Sequence, residues 1–514
     1  MQALSSSENI VSSPQIIAVS ELQAIREQHS GVKIIHCHGV FDVFHHGHLE
    51  YLQSAKDMGD ILIVTVTSDR WVNKGPTRPY HNHTQRAEII ANLGFVDYVA
   101  VNDESSAVPV IEALKPNFYV KGKDYENKED DITGAILAEE RAVEAGGGKL
   151  VFTQTGLKSS TRIINEHLTS QDGEARRVIK KIRENYEFED IVQIVNSFTD
   201  IKVLVVGEPI IDTYTFCQSE ALSSKSPTVS ARFVREENYA GGSLAIANHL
   251  ANLGCDVHLC TVFGDEDYVQ KLLDKSMDDN VRISSYVIPD VPTPRKTRFL
   301  QQGLNQKIFE VTNISDDLWD NHDSAEFCAQ LKSAAKDADV VICADFGHGM
   351  MEGAVLDVLS ELDVFVATNV QTNSSNLGYN LFTKHEDYSF LSIDERELRL
   401  GLHDRSSPIS KLLEKAQEVI KKPFAITLGI NGSVYFDQNG EQHACPVFFQ
   451  EVVDTTGAGD AFFLITSLLA QKDIDGDLIS FMGNCYAWLA TQVIGNKKAN
   501  STVDYIRTMK SLLG

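Results

Sequence analysis

Short apolar runs alternate with helix-patterned stretches along nearly the whole chain, and this alternation limits the possible folds more than any other feature. The runs begin with VKIIHCHGVF at 32–41, ILIVTVTS at 61–68, YVAV at 98–101, FYVKG at 118–122 and KLVFTQT at 149–155. Helical patterns at 19–29, at Gln85–Leu93 and near 107–114 lie between or before them. Strands that alternate with helices form a parallel sheet covered on both faces. A second series opens with KVLVV at 202–206 and continues through HLCTVFG, DVVICADFG, VFVATNV, FLSID and FAITLG. Between the two series, 169–198 is charged and helix-forming. The expected organisation is α/β with two domains, 31–168 and 199–514, joined by a helical linker at 169–198. Residues 1–30 are expected to form an N-terminal extension with a frayed Ser-rich start.

With 514 residues, the chain exceeds one ordinary core, which agrees with that division. Its formal charge is −26. Such a field repels nucleic acid and anionic membrane surfaces, so neither is an expected partner, and an anionic small substrate needs local donors. The eight cysteines include no CxxC pair and are expected to be reduced thiols. The N-terminus lacks a basic segment leading into an apolar run, and no stretch reaches membrane-spanning length. The expected location is the cytoplasm.

The first chemistry-bearing constellation is Gly39-Val40-Phe41-Asp42-Val43-Phe44-His45-His46-Gly47-His48, between an apolar strand and the helix LEYLQSAKDMG. A glycine-containing turn lets backbone amides approach an anion, and the helix start adds partial positive charge. His45 and His48 project at the same mouth and can donate hydrogen bonds to a phosphate. Three crowded histidines could instead bind zinc, but their spacing does not match a pair on one helical face.

HxGH after a strand, with an FD pair upstream, resembles the signature of the cytidylyl- and adenylyltransferase superfamily. Downstream, Lys74-Gly75-Pro76 with Arg78-Pro79, Arg86 in its helix, Val120-Lys121-Gly122-Lys123-Asp124-Tyr125 and Ser159-Ser160-Thr161 resemble motifs of heptose 1-phosphate adenylyltransferases in order. The resemblance implies a Rossmann-like domain in which a phosphate oxygen attacks the α-phosphorus of ATP or CTP and pyrophosphate leaves. It implies catalytic roles for His45, His48 and Lys74, and nucleotide contacts from Gly39, Phe41, Lys121, Gly122, Asp124, Ser159, Ser160 and Thr161. His38 stands where relatives often carry asparagine.

The second constellation, Asp454-Thr455-Thr456-Gly457-Ala458-Gly459-Asp460, opens a long apolar helix. Its glycines can present successive N–H groups to an anion. An aspartate at an anion site reads as a general base, so Asp460 is the candidate to take a proton from a substrate hydroxyl. The whole segment resembles the C-terminal signature of ribokinase-like (PfkB) sugar kinases. Gly207-Glu208-Pro209 with Asp212, Gly241-Gly242, Lys296-Thr297-Arg298, Asp345-Phe346-Gly347, Asp394 with Glu397, and Thr427-Leu428-Gly429 with Gly432 follow that family's pattern in order. The resemblance implies a ribokinase-like domain with a small β lid. Substrate contacts fall to Asp212, Gly241, Gly242, Arg298 and Asp345, and nucleotide contacts to Thr427, Gly429, Gly432, Gly457, Ala458, Gly459 and Asn484. Asp394 and Glu397 would act indirectly in an Mg2+ region, with ATP as donor. Ala245, His348 and Asp394 depart from the family pattern, which argues for a different sugar or a weakened kinase.

Taken whole, the chain resembles bifunctional heptose kinase/adenylyltransferases with the domain order inverted. The resemblance implies phosphorylation of a sugar and its activation as an ADP- or CDP-linked product. Its small-molecule partners would be a sugar or sugar phosphate and nucleoside triphosphates, and the chain is expected to form a homo-oligomer. The alternative is a cytidylyltransferase for a polyol or sugar phosphate that carries a ligand-binding, catalytically weak kinase-like domain.

Overall fold

The computed structural model describes residues 15–72, 79–123, 135–153, 173–222, 229–303, 306–315, 318–319, 322–449 and 451–513. Lys74, Asp124, Ser159, Ser160 and Thr161 lie outside them. The chain forms two compact units, Met1–Ser170 and Gln171–Leu513.

The first unit holds one parallel sheet of β1 (Gln15–Ile17), β2 (Ile34–Gly39), β3 (Ile61–Thr67), β4 (Tyr98–Asn102), β5 (Phe118–Lys121) and β6 (Lys149–Phe152). Its order is β1-β4-β3-β2-β5-β6. The chain winds outward from β2 in one direction and then crosses to the other side at β5. The carboxyl ends of β2 and β5 therefore flank a topological switch point, where open α/β sheets bind ligands. β3 is buried over almost its whole length, as expected for a strand covered on both faces. β1 and the helix Leu22–Gln28, whose Leu22 is fully buried, are integral to this unit. The expectation of a separate extension over 1–30 is corrected for the described residues: β1 extends the sheet by pairing with β4.

The second unit contributes β7 (Lys202–Gly207), β8 (Pro209–Leu222), β9 (Val229–Gly242), β10 (Asp256–Phe263), β11 (Val281–Val287), β12 (Arg295–Gln301), β13 (Gln306–Asn313), β14 (Val340–Asp345), β15 (Phe365–Val370), β16 (Phe390–Asp394), β17 (Phe424–Thr427), β18 (Ser433–Phe436) and β19 (Gln442–Cys445). Nine of them form one sheet, β11-β10-β7-β14-β15-β16-β17-β18-β19, parallel up to β17 and antiparallel beyond it. The other four form a separate sheet, β13-β12-β8-β9, which is the expected lid. The switch point lies between β7 and β14, beside Glu208 and Asp345. Gly207 is required there, because a Cβ would come within about 2.5 Å of the Ala344 carbonyl.

The linker expected at 169–198 is also corrected. Helices Gly173–Asn185 and Phe188–Asn196 bury Ala175, Ile179, Ile182, Ile191 and Val195. Arg183 donates to the Leu512 carbonyl at 2.8 Å and Lys181 pairs with Asp477. The two helices therefore pack as part of the second unit. All eight cysteines are free and buried. Among the described residues no helix is long and apolar enough to cross a membrane.

Candidate active sites

In the first unit, the turn after β2 is shaped by two non-glycine residues with positive φ, Phe41 at 53° and Val43 at 42°. Asp42, almost fully buried, holds this strained conformation in place. Its carboxylate accepts from the backbone amides of Tyr80 and His81 at 2.9–3.1 Å. Arg86, 1% exposed, ties the same region together by donating to the carbonyls of His81 and Val40 and to Asp69 Oδ1. The turn is thus fixed before any ligand arrives, and His45 becomes the N-cap of the helix His46–Lys56, accepting from the Gly47 amide at 3.1 Å. The His45 and His48 rings stack with centroids 4.0 Å apart. His45 is half-buried, whereas His48 is buried against Phe41 and Phe44. The ring of Phe41, a residue expected among the nucleotide contacts, belongs to the core, which leaves its backbone to face the turn.

At the end of β5, Lys121 pairs with Glu139 at 2.9 Å, both side chains nearly covered. Gly122 follows it, buried, at the switch point. His38 bonds through Nδ1 to the Thr65 hydroxyl at 2.8 Å. Burial, with the Lys121 charge nearby, holds its imidazole well below the usual range. It is therefore a neutral hydrogen-bonding group, as an asparagine would be. Gly39 closes β2, where a Cβ would press on the Phe41 ring at about 3.2 Å.

In the second unit, the helix Ala458–Gln471 starts behind Gly457, whose φ is 83°. Asp454 braces this loop: it accepts from Lys307 at 2.9 Å, from the Gly495 amide at 3.0 Å and from the Thr456 hydroxyl at 2.9 Å. Asp460 stands in the first turn, half-buried, and accepts from the Gln371 side-chain amide at 2.5 Å. Burial pushes its carboxyl up to about 7, the negative charge of Asp212 adds to this, and Gln371 and Lys296 oppose it. A carboxyl near neutrality suits a group that must take up a proton during turnover.

Asp212 is buried, paired with Arg298 and bonded by the Asn496 side-chain amide at 3.3 Å. Arg298 also bonds Glu310 at 2.9 Å, so its guanidinium fixes Asp212 between lid strands. A Cβ at Gly241 would collide with the Asp212 carboxylate. Gly242 has φ 58° and caps the next helix.

Asp345, expected to contact substrate, has its carboxylate engaged within the protein. It has no exposed surface and is bonded by His385 at 2.7 Å, Lys384 at 2.8 Å, the Gly347 amide at 2.9 Å and Asn380 at 3.0 Å. Burial alone would raise its carboxyl, but His385 and Lys384 hold it below the usual value. It organises its loop together with Glu208, which accepts from the amides of Phe346, His348 and Met350. Burial and the Asp345 charge push Glu208 up to about 7.

Asp394 and Glu397 form a reciprocal capping box at the helix Glu395–Gly401. Glu397 also accepts from the Thr372 amide at 2.9 Å, next to Gln371. Two carboxylates one loop away from Asp460 offer the hard oxygen donors that suit Mg2+ through bound water, although Glu397 already accepts a backbone amide on each oxygen. The turn after β17 places Gly429 at φ 58° and Gly432 at φ 87° beside Thr427. Asn484 donates to the Ser433 hydroxyl at 2.6 Å on the flank of that turn.

A family model described as pfkB family carbohydrate kinase matches residues 200–499, more than half of the chain. The chain belongs to the pfkB family of carbohydrate kinases. A second model, cytidylyltransferase-like, matches residues 36–166, so a nucleotidyltransferase domain precedes the kinase domain. The N-terminal part is 40% identical over 154 residues to "Bifunctional protein HldE" of Campylobacter fetus, covering 30% of this chain and 31% of that protein. It is 44% identical over 138 residues to the protein of the same name from Helicobacter pylori, covering 26% and 29%. The chain thus spans about three tenths of the length of these curated relatives. A ribokinase of Arabidopsis thaliana in complex with ribose and ATP shares 18% identity at a TM-score of 0.46, covering 60% of this chain and 99% of that one.

Reasoning from sequence alone missed Gln371 and Asn496. Both are neutral amides in loops, and the signal available for Gln371 was its place immediately after β15, at the carboxyl edge of the sheet.

Proposed function

We propose that the chain phosphorylates a sugar and loads a sugar phosphate onto a nucleotide, giving an ADP- or CDP-linked, heptose-like product for glycan synthesis. The observation that carries the kinase half is Asp460: a carboxyl near neutrality at the mouth of a glycine turn, beside Asp212, Lys296 and Arg298. Asp212 binds and orients the acceptor hydroxyl, and Asp460 takes its proton as the oxygen bonds to the γ-phosphorus of ATP. ADP leaves, while amides around Gly457, Ala458, Gly459 and Asp460 hold the transferring group. Mg2+ would neutralise phosphate charge, with Asp394 and Glu397 ordering its water shell. Thr427, Gly429, Gly432 and Asn484 line the nucleotide side.

In the first unit, the stacked His45 and His48 at a helix start stabilise charge on the α- and β-phosphates of ATP or CTP as pyrophosphate departs. Lys74, Lys121, Gly122, Asp124, Ser159, Ser160 and Thr161 complete that reading, with the backbone at Gly39 and Phe41 shaping the turn. The protein acts in the cytoplasm as a homo-oligomer. The lid supports the latter, since Phe233, Phe309 and Val311 are each more than half exposed, a face that a second copy would cover.

The test is a panel of sugars and sugar phosphates with ATP and with CTP, with products read by mass. Sugar-dependent ADP release that Asp460→Asn abolishes, together with pyrophosphate release that His48→Ala abolishes in a folded protein, supports the proposal. Ligand-induced stabilisation without sugar turnover would instead favour a kinase-like domain that only binds.

A further inference from the structure

A cavity of about 780 Å³ lies against the lid strand β9, bounded by β9, the helix Asp267–Ser276 and the loop at 496–499. Four lysines line it: Lys271 and Lys275, one helical turn apart, and Lys497 and Lys498 on the loop. Lys497 meets Glu237 at 3.9 Å. Lys271, Lys275 and Lys498 have no carboxylate within ion-pairing distance among the described residues.

The acids that share the cavity are already engaged. Glu236 pairs with Arg295 at 3.2 Å, Glu237 with Arg235 at 2.9 Å, and Asp278 accepts from the Asn280 amide at 2.9 Å. In a chain of charge −26, three lysines outside any ion pair around one hollow supply the local cationic donors that an anionic ligand needs. The floor is mixed: Tyr239, Tyr268 and Leu272 supply apolar surface, and Asn252 an amide. Apolar walls with a few convergent polar groups, at this volume, suit a ligand larger than inorganic phosphate.

The cavity also touches the kinase site. Asn496 lines it and donates to Asp212, and its Oδ1 lies where a Cβ on Gly457 would come within about 2.7 Å. The preceding residue, Gly495, donates to Asp454, which braces the same turn. One short loop therefore forms the wall of the cavity and a support of the anion-binding turn.

We propose that this cavity is an effector site for a phosphorylated sugar, either the monoester or the nucleotide-linked form, and that occupancy alters nucleotide binding at the Gly457 turn through the 495–498 loop. A ligand that draws Lys497 and Lys498 toward Lys271 and Lys275 displaces Asn496. That displacement changes its contacts with Asp212 and Gly457.

The test is lysine acylation of the full-length protein, followed by mass spectrometry, with inorganic phosphate, glucose 1-phosphate, sedoheptulose 7-phosphate or ADP-glucose present. In parallel, ADP affinity is measured by calorimetry with and without each compound. Expected is protection of Lys271, Lys275 and Lys498 by at least one of the three organic probes and not by inorganic phosphate. The same probe should shift the ADP Kd by about fivefold or more, and the shift should vanish in the Lys271→Ala/Lys275→Ala/Lys498→Ala variant. These lysines are exposed and outside the catalytic machinery, so the variant keeps its fold and its ADP binding without effector. Unchanged lysine reactivity with every probe overturns the site, and protection by inorganic phosphate alone overturns the ligand class. Protection without a change in ADP Kd overturns the effector role. None of these readouts requires sugar turnover, so they remain decisive even if the kinase proposal fails.

Discussion

Replacing Gln371 by leucine tests whether the Asp460 carboxyl acts as the base. The Gln371 amide donates to Asp460 Oδ1 at 2.5 Å, and this bond favours the ionised carboxylate against the burial that pushes it up to about 7. A hydrogen bond to a charged group contributes about 1.5–3 kcal/mol, and one pH unit corresponds to about 1.4 kcal/mol. Its loss should therefore move the acid limb of the kinase kcat/KM profile from about 7 to about 8–9. At pH 7 the ionised fraction then falls from about one half to between a tenth and a hundredth, a loss of about 5- to 50-fold. Above about pH 9.5 the variant should return to within a few-fold of the parent. The assay is sugar-dependent ADP release across pH 5.5–10, with circular dichroism to confirm the fold. A uniform loss at every pH, with the limb unmoved, would refute the reasoning and leave Gln371 as a packing residue.

Gly241→Ala forces a methyl group into the Asp212 carboxylate and should raise the sugar KM at least about tenfold while leaving the ADP Kd unchanged, since displacement of an orienting group costs alignment. Arg86→Leu removes a buried cation with three acceptors and should destabilise the first unit by about 3–5 kcal/mol, read as a lowered first transition in calorimetry with the second retained. Glu208, Glu397 and Asp460 are pushed up to about 7, 8 and 7, so the folded unit holds more protons than the unfolded chain between about pH 4 and 8. Stability from these groups is present at low pH and lost as pH rises through their folded values. The urea midpoint of the second unit should therefore fall between pH 5.5 and 8.5, and a rising midpoint would count against it.

Strands of both main sheets were legible because doubly covered parallel strands read as near-continuous apolar runs. β2, β3, β4 and β5 fall within two residues of the expected ends. The three residues of β1 carry no periodicity and join the sheet only because β4 offers an open edge. β13 is exposed along its whole length, so no apolar alternation marks it. The segment 173–196 is helical as expected, but its charge suggested a linker, although Ile179, Ile182, Ile191 and Val195 already marked a buried face. Within the sites, glycine turns and carboxylates announced themselves through backbone demands and chemistry. The engagement of the Asp345 carboxylate was not legible, because its partners Lys384 and His385 come about 40 residues later. No local pattern could reveal that.

The charge arrangement separates binding from chemistry. Most kinase-site cations are paired before substrate arrives, Arg298 with Asp212 and Glu310, Lys307 with Asp454 and Lys384 with Asp345, which leaves Lys296 beside Asp460 outside an ion pair among the described residues. Attraction for a polyphosphate must then come mainly from the amides of the Gly457 turn and its helix start, which do not titrate. Asp460, at about 7, does. The KM for ATP should consequently stay within about twofold from pH 6 to 9, while kcat climbs about tenfold for each unit below the limb. If KM rose steeply over the same range, titrating side chains would be supplying the grip and the amide turn would be only its frame.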